Sequence, residues 1–263
     1  MLKEGVSIKT GKMLYIGAVA AIAAILMQTP AAAAVGEWGL TYVKPGEKPQ
    51  GNADAAYLKA LDAYYVGETD EKVVYLTFDA GYEAGYTAAI LDTLKQHDVP
   101  AAFFLVGTYI RSNPELIKRM DKEGHIVANH TMKHPDMTKI TSIEAFKKEL
   151  SQVEEVYKTV TGRQIGKYYR PPCGKYNEAN IKMAQALGYK TIFWSLAYAD
   201  WDKNAQPTKA AAFSKLIPRL HPGAVLLLHS TSKTNADILG DLIEEYHRLG
   251  YTFKSLEHLA PQS

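Results

Sequence analysis

The sequence predicts an α/β fold, a distorted and incomplete (β/α) barrel of about seven parallel strands, and three observations carry that expectation. From Val73 onward, short apolar runs alternate with stretches of helical pattern. Capping residues, prolines and glycines stand where those helical stretches should begin and end. Polar residues with acid, base or ligand chemistry follow directly on several of the apolar runs. An open doubly wound sheet has the same alternation and is the structural alternative.

Taken in order, the strands are expected at 73–78, 101–106, 125–128, 167–169, 191–194, 224–228 and 252–254. Helices fall between them. Asn113-Pro114 opens one with a cap residue and a proline at the first helical position, and Gly124 ends it. Asn177 opens another that Gly188 closes, and a third, over 235–248, stops at Gly250. Ahead of the first strand, residues 35–70 are rich in Gly, Pro, Lys and Tyr, with one helical patch near 55–63. They read as an irregular lead-in that wraps the main domain, residues 71–263.

The N-terminus differs in kind. Lys3, Lys9 and Lys12 precede an uncharged apolar run over 13–27, followed by Pro30 and the alanines 31–34. That is the layout of a secretory signal peptide over 1–34, cleaved near Ala34, which puts the protein outside the cytoplasm. The apolar run is shorter than the ~20 residues a spanning helix needs. An uncleaved N-terminal anchor is the alternative, and it too leaves the domain facing outward. The single cysteine, Cys173, excludes an intrachain disulfide, so the core must supply the stability. A net charge of +2 gives no electrostatic reason to expect a nucleic-acid partner, and nothing implies a stable protein partner.

Asp79 follows 75–78, His130 and His134 follow 126–129, Arg170 follows 168–169, and His229 follows 226–228. In a parallel β/α fold all these strand ends share one face, so residues distant in sequence converge there. Each has a plainer reading alone: an Asp at a strand end caps the next helix, and a lone His is a satisfied core residue. Repetition over four strands favours a site. His130 and His134 are spaced so that one tight turn presents both imidazoles to a single ion, and Pro135 disfavours a helix at His134. Thr131 stands where the H-E-x-x-H metalloprotease motif requires Glu.

Thr77-Phe78-Asp79-Ala80-Gly81, His130-Thr131-Met132-Lys133-His134-Pro135, Arg170-Pro171-Pro172-Cys173-Gly174, Asp200-Trp201 and Leu226-Leu227-Leu228-His229 resemble the five ordered motifs of the NodB-type polysaccharide deacetylases, carbohydrate esterase family 4. The runs 77–87, 193–202 and 251–255, and the lead-in 62–67, resemble the branch that deacetylates N-acetylmuramic acid in spore cortex peptidoglycan. The resemblance implies metal-dependent hydrolysis of that N-acetyl group on a peptidoglycan glycan strand, leading to muramic δ-lactam. It assigns Asp79 as general base, Arg170 as its partner, His229 as general acid and Asp200 as the group that orients it. It also assigns the backbone N–H of Cys173 as oxyanion donor, His130 and His134 as metal ligands, and Tyr82, Pro172, Gly174 and Trp201 as substrate contacts. Trp194 is a further wall candidate, with core packing as its plainer reading.

One departure is chemical. Where the family motif has a second aspartate as third metal ligand, this chain has Ala80, as does the muramic-acid branch. Two imidazoles make a weaker site; zinc suits them, and manganese, cobalt or nickel are alternatives. Asp79 or Glu83 is a candidate to approach the ion. Two other functions stay open: deacetylation of N-acetylglucosamine in peptidoglycan or a chitin-like polymer, and a glycan-binding module without catalysis.

Overall fold

The computed structural model describes Met1 and residues 36–261. The chain divides into Met1–Ala32 and Ala33–Ser263. The expected signal peptide lies outside the described residues, and the architecture is that of the second unit. It opens with β1 (Gly36–Glu37), β2 (Leu40–Thr41), β3 (Gln50–Gly51), α1 (Ala55–Ala60) and β4 (Ala63–Tyr64). Next come β5 (Val73–Ala80), α2 (Thr87–Gln96), β6 (Ala101–Leu105), α3 (Gly107–Ser112), α4 (Pro114–Lys122), β7 (Ile126–Asn129) and α5 (Ile143–Thr161). The rest is β8 (Tyr168–Tyr169), β9 (Lys175–Tyr176), α6 (Glu178–Ala186), β10 (Lys190–Ile192), α7 (Lys209–Leu216), β11 (Ala224–His229), α8 (Lys233–Arg248), β12 (Thr252–Phe253) and α9 (Leu256–Leu259).

One sheet organises the domain. Its strand order is β11-β5-β6-β7-β8-β10-β4, with β12 added beside β5, and every pair is parallel. The last long strand, β11, returns beside the first, β5, which is the order of a closing barrel and not of a doubly wound sheet. Between β10 and β11 the seam is narrow: a parallel bridge, Leu196 to Leu226, where Leu227 N donates to Leu196 O at 2.9 Å and Ser195 N and Leu196 N donate to Val225 O at 3.0 and 3.1 Å. The barrel is therefore curled and incomplete, as the sequence predicts.

The strand beyond the expected seven is β4, from the stretch read as an irregular lead-in: Ala63 and Tyr64 pair with Thr191 and Ile192. The same stretch packs Trp38, Leu58 and Tyr65 against Phe193, so it completes the core and does more than wrap it. Its two-residue strands show too little alternation to be legible in sequence.

Strand β5 is buried along its whole length, so it reads as an apolar run and not as an alternation. Val74, Leu76 and Phe78 face the helices, meeting Ile90, Leu94, Ile238 and Leu242. Val73 and Tyr75 face the barrel interior with Phe104, Tyr168 and Val225. The register pairs Asp79 with His229, Leu105 with Asn129, and Asn129 with Tyr169. These pairings bring the C-terminal strand ends to one level. Asn177 caps α6 by accepting from Asn180 N at 2.8 Å, whereas Asn113 donates to Tyr109 O and caps α4 by position only.

Candidate active site

At the C-terminal end of β5, Thr77 and Asp79 continue the interior face of the strand, where Val73 and Tyr75 lie further down. Arg170, immediately after β8, fills the space beside them and has no exposed surface. Its Nη1 donates to Asp79 Oδ1 at 2.6 Å, Nη2 to Thr77 Oγ1 at 3.0 Å and Phe193 O at 3.3 Å, and Nε to Ile192 O at 2.9 Å. The guanidinium lies 4.1 Å from the centroid of the Phe104 ring. Burial works against charge on Asp79, but Arg170, then His130 and His229, outweigh it and hold the carboxyl below the usual carboxylate range. Asp79 is thus an ionised carboxylate with one oxygen committed to Arg170.

Its other oxygen, Oδ2, lies 3.7 Å from His130 Nε2. His130 donates from Nδ1 to Arg170 O at 2.8 Å, which leaves the Nε2 lone pair directed at the site. The turn that follows is built on two non-glycine residues with positive φ, Thr131 at 70° and His134 at 59°. Thr131 N is held by Asn129 Oδ1 and His134 N by Thr131 Oγ1, both at 2.9 Å. Such backbone costs about 1–3 kcal/mol per residue and persists where the surroundings fix it. The result brings the His130 and His134 rings edge to face, with centroids 4.8 Å apart. Burial lowers both imidazoles, His130 to about 4, so they are neutral at neutral pH, the form in which an imidazole can bind a metal.

This donor set fits a divalent cation: two oriented, neutral imidazoles with a carboxylate oxygen beside one of them. Among the described residues no group of three or more His, Cys, Asp or Glu is arranged as a metal cage. Glu83 supplies no third ligand. Its Oε1 accepts from Gly85 N and its Oε2 from Tyr109 OH, and both oxygens bond Thr87, so it serves the start of α2.

Across from Asp79, His229 ends β11. Its Nδ1 donates to Asp200 Oδ1 at 2.7 Å, and its backbone N donates to Asp200 Oδ2 at 2.8 Å. Burial opposes charge on His229, but the hydrogen bond and the charge of Asp200 prevail and raise its pKa above the ordinary imidazole value. Asn235 also holds this dyad, donating to Asp200 Oδ2 at 2.6 Å and to His229 O at 3.0 Å, and Tyr198 OH donates to Asn235 Oδ1. Asn235 marks a helix start in the sequence reading; in the structure Ser232 caps α8 and Asn235 is buried inside it. A signal existed, since Asn235 shares the 3–4–7 stripe of Ile238, Leu239 and Leu242, a polar residue at a core position.

These groups open into one cavity of about 650 Å³, lined among others by Asp79, Ala80, Tyr82, His130, His134, Cys173, Gly174, Trp194, Trp201 and His229. Tyr82 and Trp201 are its exposed aromatics. Cys173 sits at φ 56° in a short 3₁₀ turn, and Gly174 beside it is at φ 65°. Arg170 and Asp200 stand behind the cavity, each acting through the residue it holds. Pro172 is buried and not among the lining residues, and its ring helps set the turn that presents Cys173 and Gly174. Trp194 combines both of its readings, half-buried against the core and lining the cavity.

The model of a polysaccharide deacetylase family matches residues 66–192. The peptidoglycan-N-acetylmuramic acid deacetylase PdaA of Bacillus subtilis is 48% identical over 203 residues, 77% of this chain and 76% of that protein. A peptidoglycan-N-acetylglucosamine deacetylase of Bacillus cereus is 32% identical, over 73% of this chain and 70% of its own length. The structure of Bacillus subtilis PdaA, a family 4 carbohydrate esterase, superposes with a TM-score of 0.82 at 42% identity, covering 86% of this chain and 96% of that one. By these similarities and its curled parallel barrel, the chain belongs to the polysaccharide deacetylases of carbohydrate esterase family 4.

Proposed function

We propose that this protein hydrolyses the N-acetyl group of N-acetylmuramic acid in peptidoglycan, with a divalent cation held by His130 and His134. The observation that supports this most is a single cavity with the Arg170-held Asp79 carboxylate on one side and the Asp200-held His229 imidazole on the other. The 48% identity to PdaA favours muramic acid over glucosamine as the reacting sugar. The cation, zinc in this reading, with manganese, cobalt or nickel as alternatives, would polarise the acetyl carbonyl and acidify the attacking water.

The residues of the chain do the rest. Asp79 takes a proton from the water that attacks the acetyl carbon, and Arg170 keeps that carboxylate ionised and aimed. The backbone N–H of Cys173 donates to the oxyanion. His229, kept protonated by Asp200, delivers a proton to the leaving nitrogen, and acetate and a free amine result. Tyr82, Gly174 and Trp201 form the sugar-facing wall. On muramic acid the freed amine stands near the lactyl carboxyl, and ring closure with loss of water gives muramic δ-lactam, the spore cortex product. Export by a signal peptide over 1–34, or retention by an N-terminal anchor, fits a wall substrate.

The test is mass spectrometry of peptidoglycan treated with purified protein, with and without chelator, beside Asp79→Asn. Loss of acetyl from muramic acid, abolished by chelator and by the variant, is expected. Free amine on glucosamine alone would transfer the reading to that sugar, and unchanged acetylation across several glycans would leave a binding module.

A further inference from the structure

Trp194, Ala197, Tyr198 and Trp201 line both the catalytic cavity and a second, shallow groove of about 280 Å³, which Leu40, Tyr42, Ala199 and Arg219 complete. Nothing in the reaction described above uses the residues that complete it. Arg219 lies in the loop between α7 and β11, with its guanidinium 4.2 Å from the centroid of the Tyr42 ring. Among the described residues, Arg119, Arg163, Arg170 and Arg248 each pair with a carboxylate. Arg219 has no such pair and is half-buried, whereas Arg111, likewise without one, is exposed.

The arrangement is built rather than incidental. Arg219 O accepts from His221 Nδ1 at 2.8 Å, and the fully buried His221 accepts at Nε2 from Ser195 Oγ at 2.9 Å. Tyr42 OH donates to Ser195 O at 3.1 Å, so Ser195 ties down both the backbone of the arginine and the ring beneath it. A guanidinium carries five N–H donors, so one set against a single tyrosine keeps donors that can meet a carboxylate.

We propose that Arg219, set against Tyr42, is a subsite for a carboxylate carried by the glycan, sharing four wall residues with the catalytic cavity and selecting anionic strands over neutral ones. This deepens the deacetylase reading and rests on it. N-acetylglucosamine polymers carry no charge, while muramic acid carries a lactyl carboxyl, free or extended by a stem peptide that ends in carboxylates. Trp201, which lines both spaces, lets sugar rings bridge them.

The experiment compares the purified full chain with Arg219→Gln and Arg219→Lys on three glycan strands: stem-free, stem-free with the lactyl carboxyl methyl-esterified, and stem-bearing. On stem-free strands Arg219→Gln is expected to lower kcat/KM about tenfold, mainly through KM, with Arg219→Lys intermediate. On the esterified strands wild type and Arg219→Gln should converge, which no general structural damage would produce. A tenfold loss confined to stem-bearing strands assigns the carboxylate to the peptide; confined to stem-free strands, to the lactyl group. Equal loss on free and esterified strands, or no loss on any, overturns the subsite. Calorimetric binding of the same strands in the presence of chelator separates the two proposals. Binding under chelator that depends on both the carboxylate and Arg219, with no deacetylation by the metal-replete wild type, keeps the subsite and ends the deacetylase reading.

Discussion

Arg170 commits its guanidinium to Asp79, Thr77, Ile192 and Phe193 with no access to water. Replacing it by Met leaves the Asp79 carboxylate buried and unpaired, so Arg170→Met should cost about 3–5 kcal/mol of stability, read from urea denaturation, as well as activity. Adding Asp79→Asn to that variant should recover part of the loss. For Cys173 the expectation is the opposite: a main-chain donor does not depend on its side chain, so Cys173→Ala should keep near wild-type kcat, and a collapse of kcat would refute the oxyanion role given to its N–H. His229 sets a pH limb. Its pKa is raised in the folded protein, so the stability it contributes is present below about pH 6.5 and is lost as pH rises through the folded value. As a general acid it follows the same direction, and kcat/KM should fall on the alkaline side of that value. Asp200→Asn removes the charge that favours the imidazolium, so the alkaline limb should move to lower pH; a limb that stays put would separate His229 from the leaving-group proton.

The loop and helix elements decide where these side chains stand. The 3₁₀ turn Pro172–Gly174 carries one cavity wall on two consecutive residues with positive φ. A Cβ on Gly174 would lie 2.8 Å from Trp194 and 3.1 Å from Trp38 Cβ, in a conformation that costs about 1 kcal/mol or more outside glycine. Gly174→Ala should therefore lower the thermal midpoint and, by displacing Trp194 and Cys173, reduce kcat/KM further than the stability loss explains; unchanged kinetics would show that the wall tolerates the shift. Helix α8 brings Asn235 under Asp200 because Ser232 caps the helix three residues earlier, accepting from Asn235 N at 3.3 Å. The motif residues before and after that helix say nothing of this, since Asn235 is joined to Asp200 only through packing.

At the scale of the whole molecule, the apolar core between sheet and helices, together with the barrel interior, should hold the fold when the cation is removed. Chelation should abolish deacetylation while leaving near-UV circular dichroism intact. Returning metal to about 100 times its Kd should raise stability by about 2.7 kcal/mol, visible as an upward shift of the thermal midpoint. Unfolding on chelation would make the ion structural, against this account. The level C-terminal ends of the parallel strands explain why residues more than a hundred positions apart share one cavity: the register pairs Asp79 directly with His229.

By itself, the amino-acid order determined the α/β class, the main strands, and the carboxylate, arginine and imidazole residues that the strand ends bring together, because buried parallel strands are apolar runs and these polar residues follow each run directly. Only the tertiary structure decided that β4 extends the sheet, that Asn235 supports Asp200, that Glu83 belongs to a helix start, and that Pro172 faces inward. Only it set Arg219 against Tyr42 in a groove beside the cavity. Those outcomes depend on which distant backbone or ring lies within a few ångströms, and a two-residue strand or a single polar side chain leaves no periodicity in the sequence from which that proximity follows.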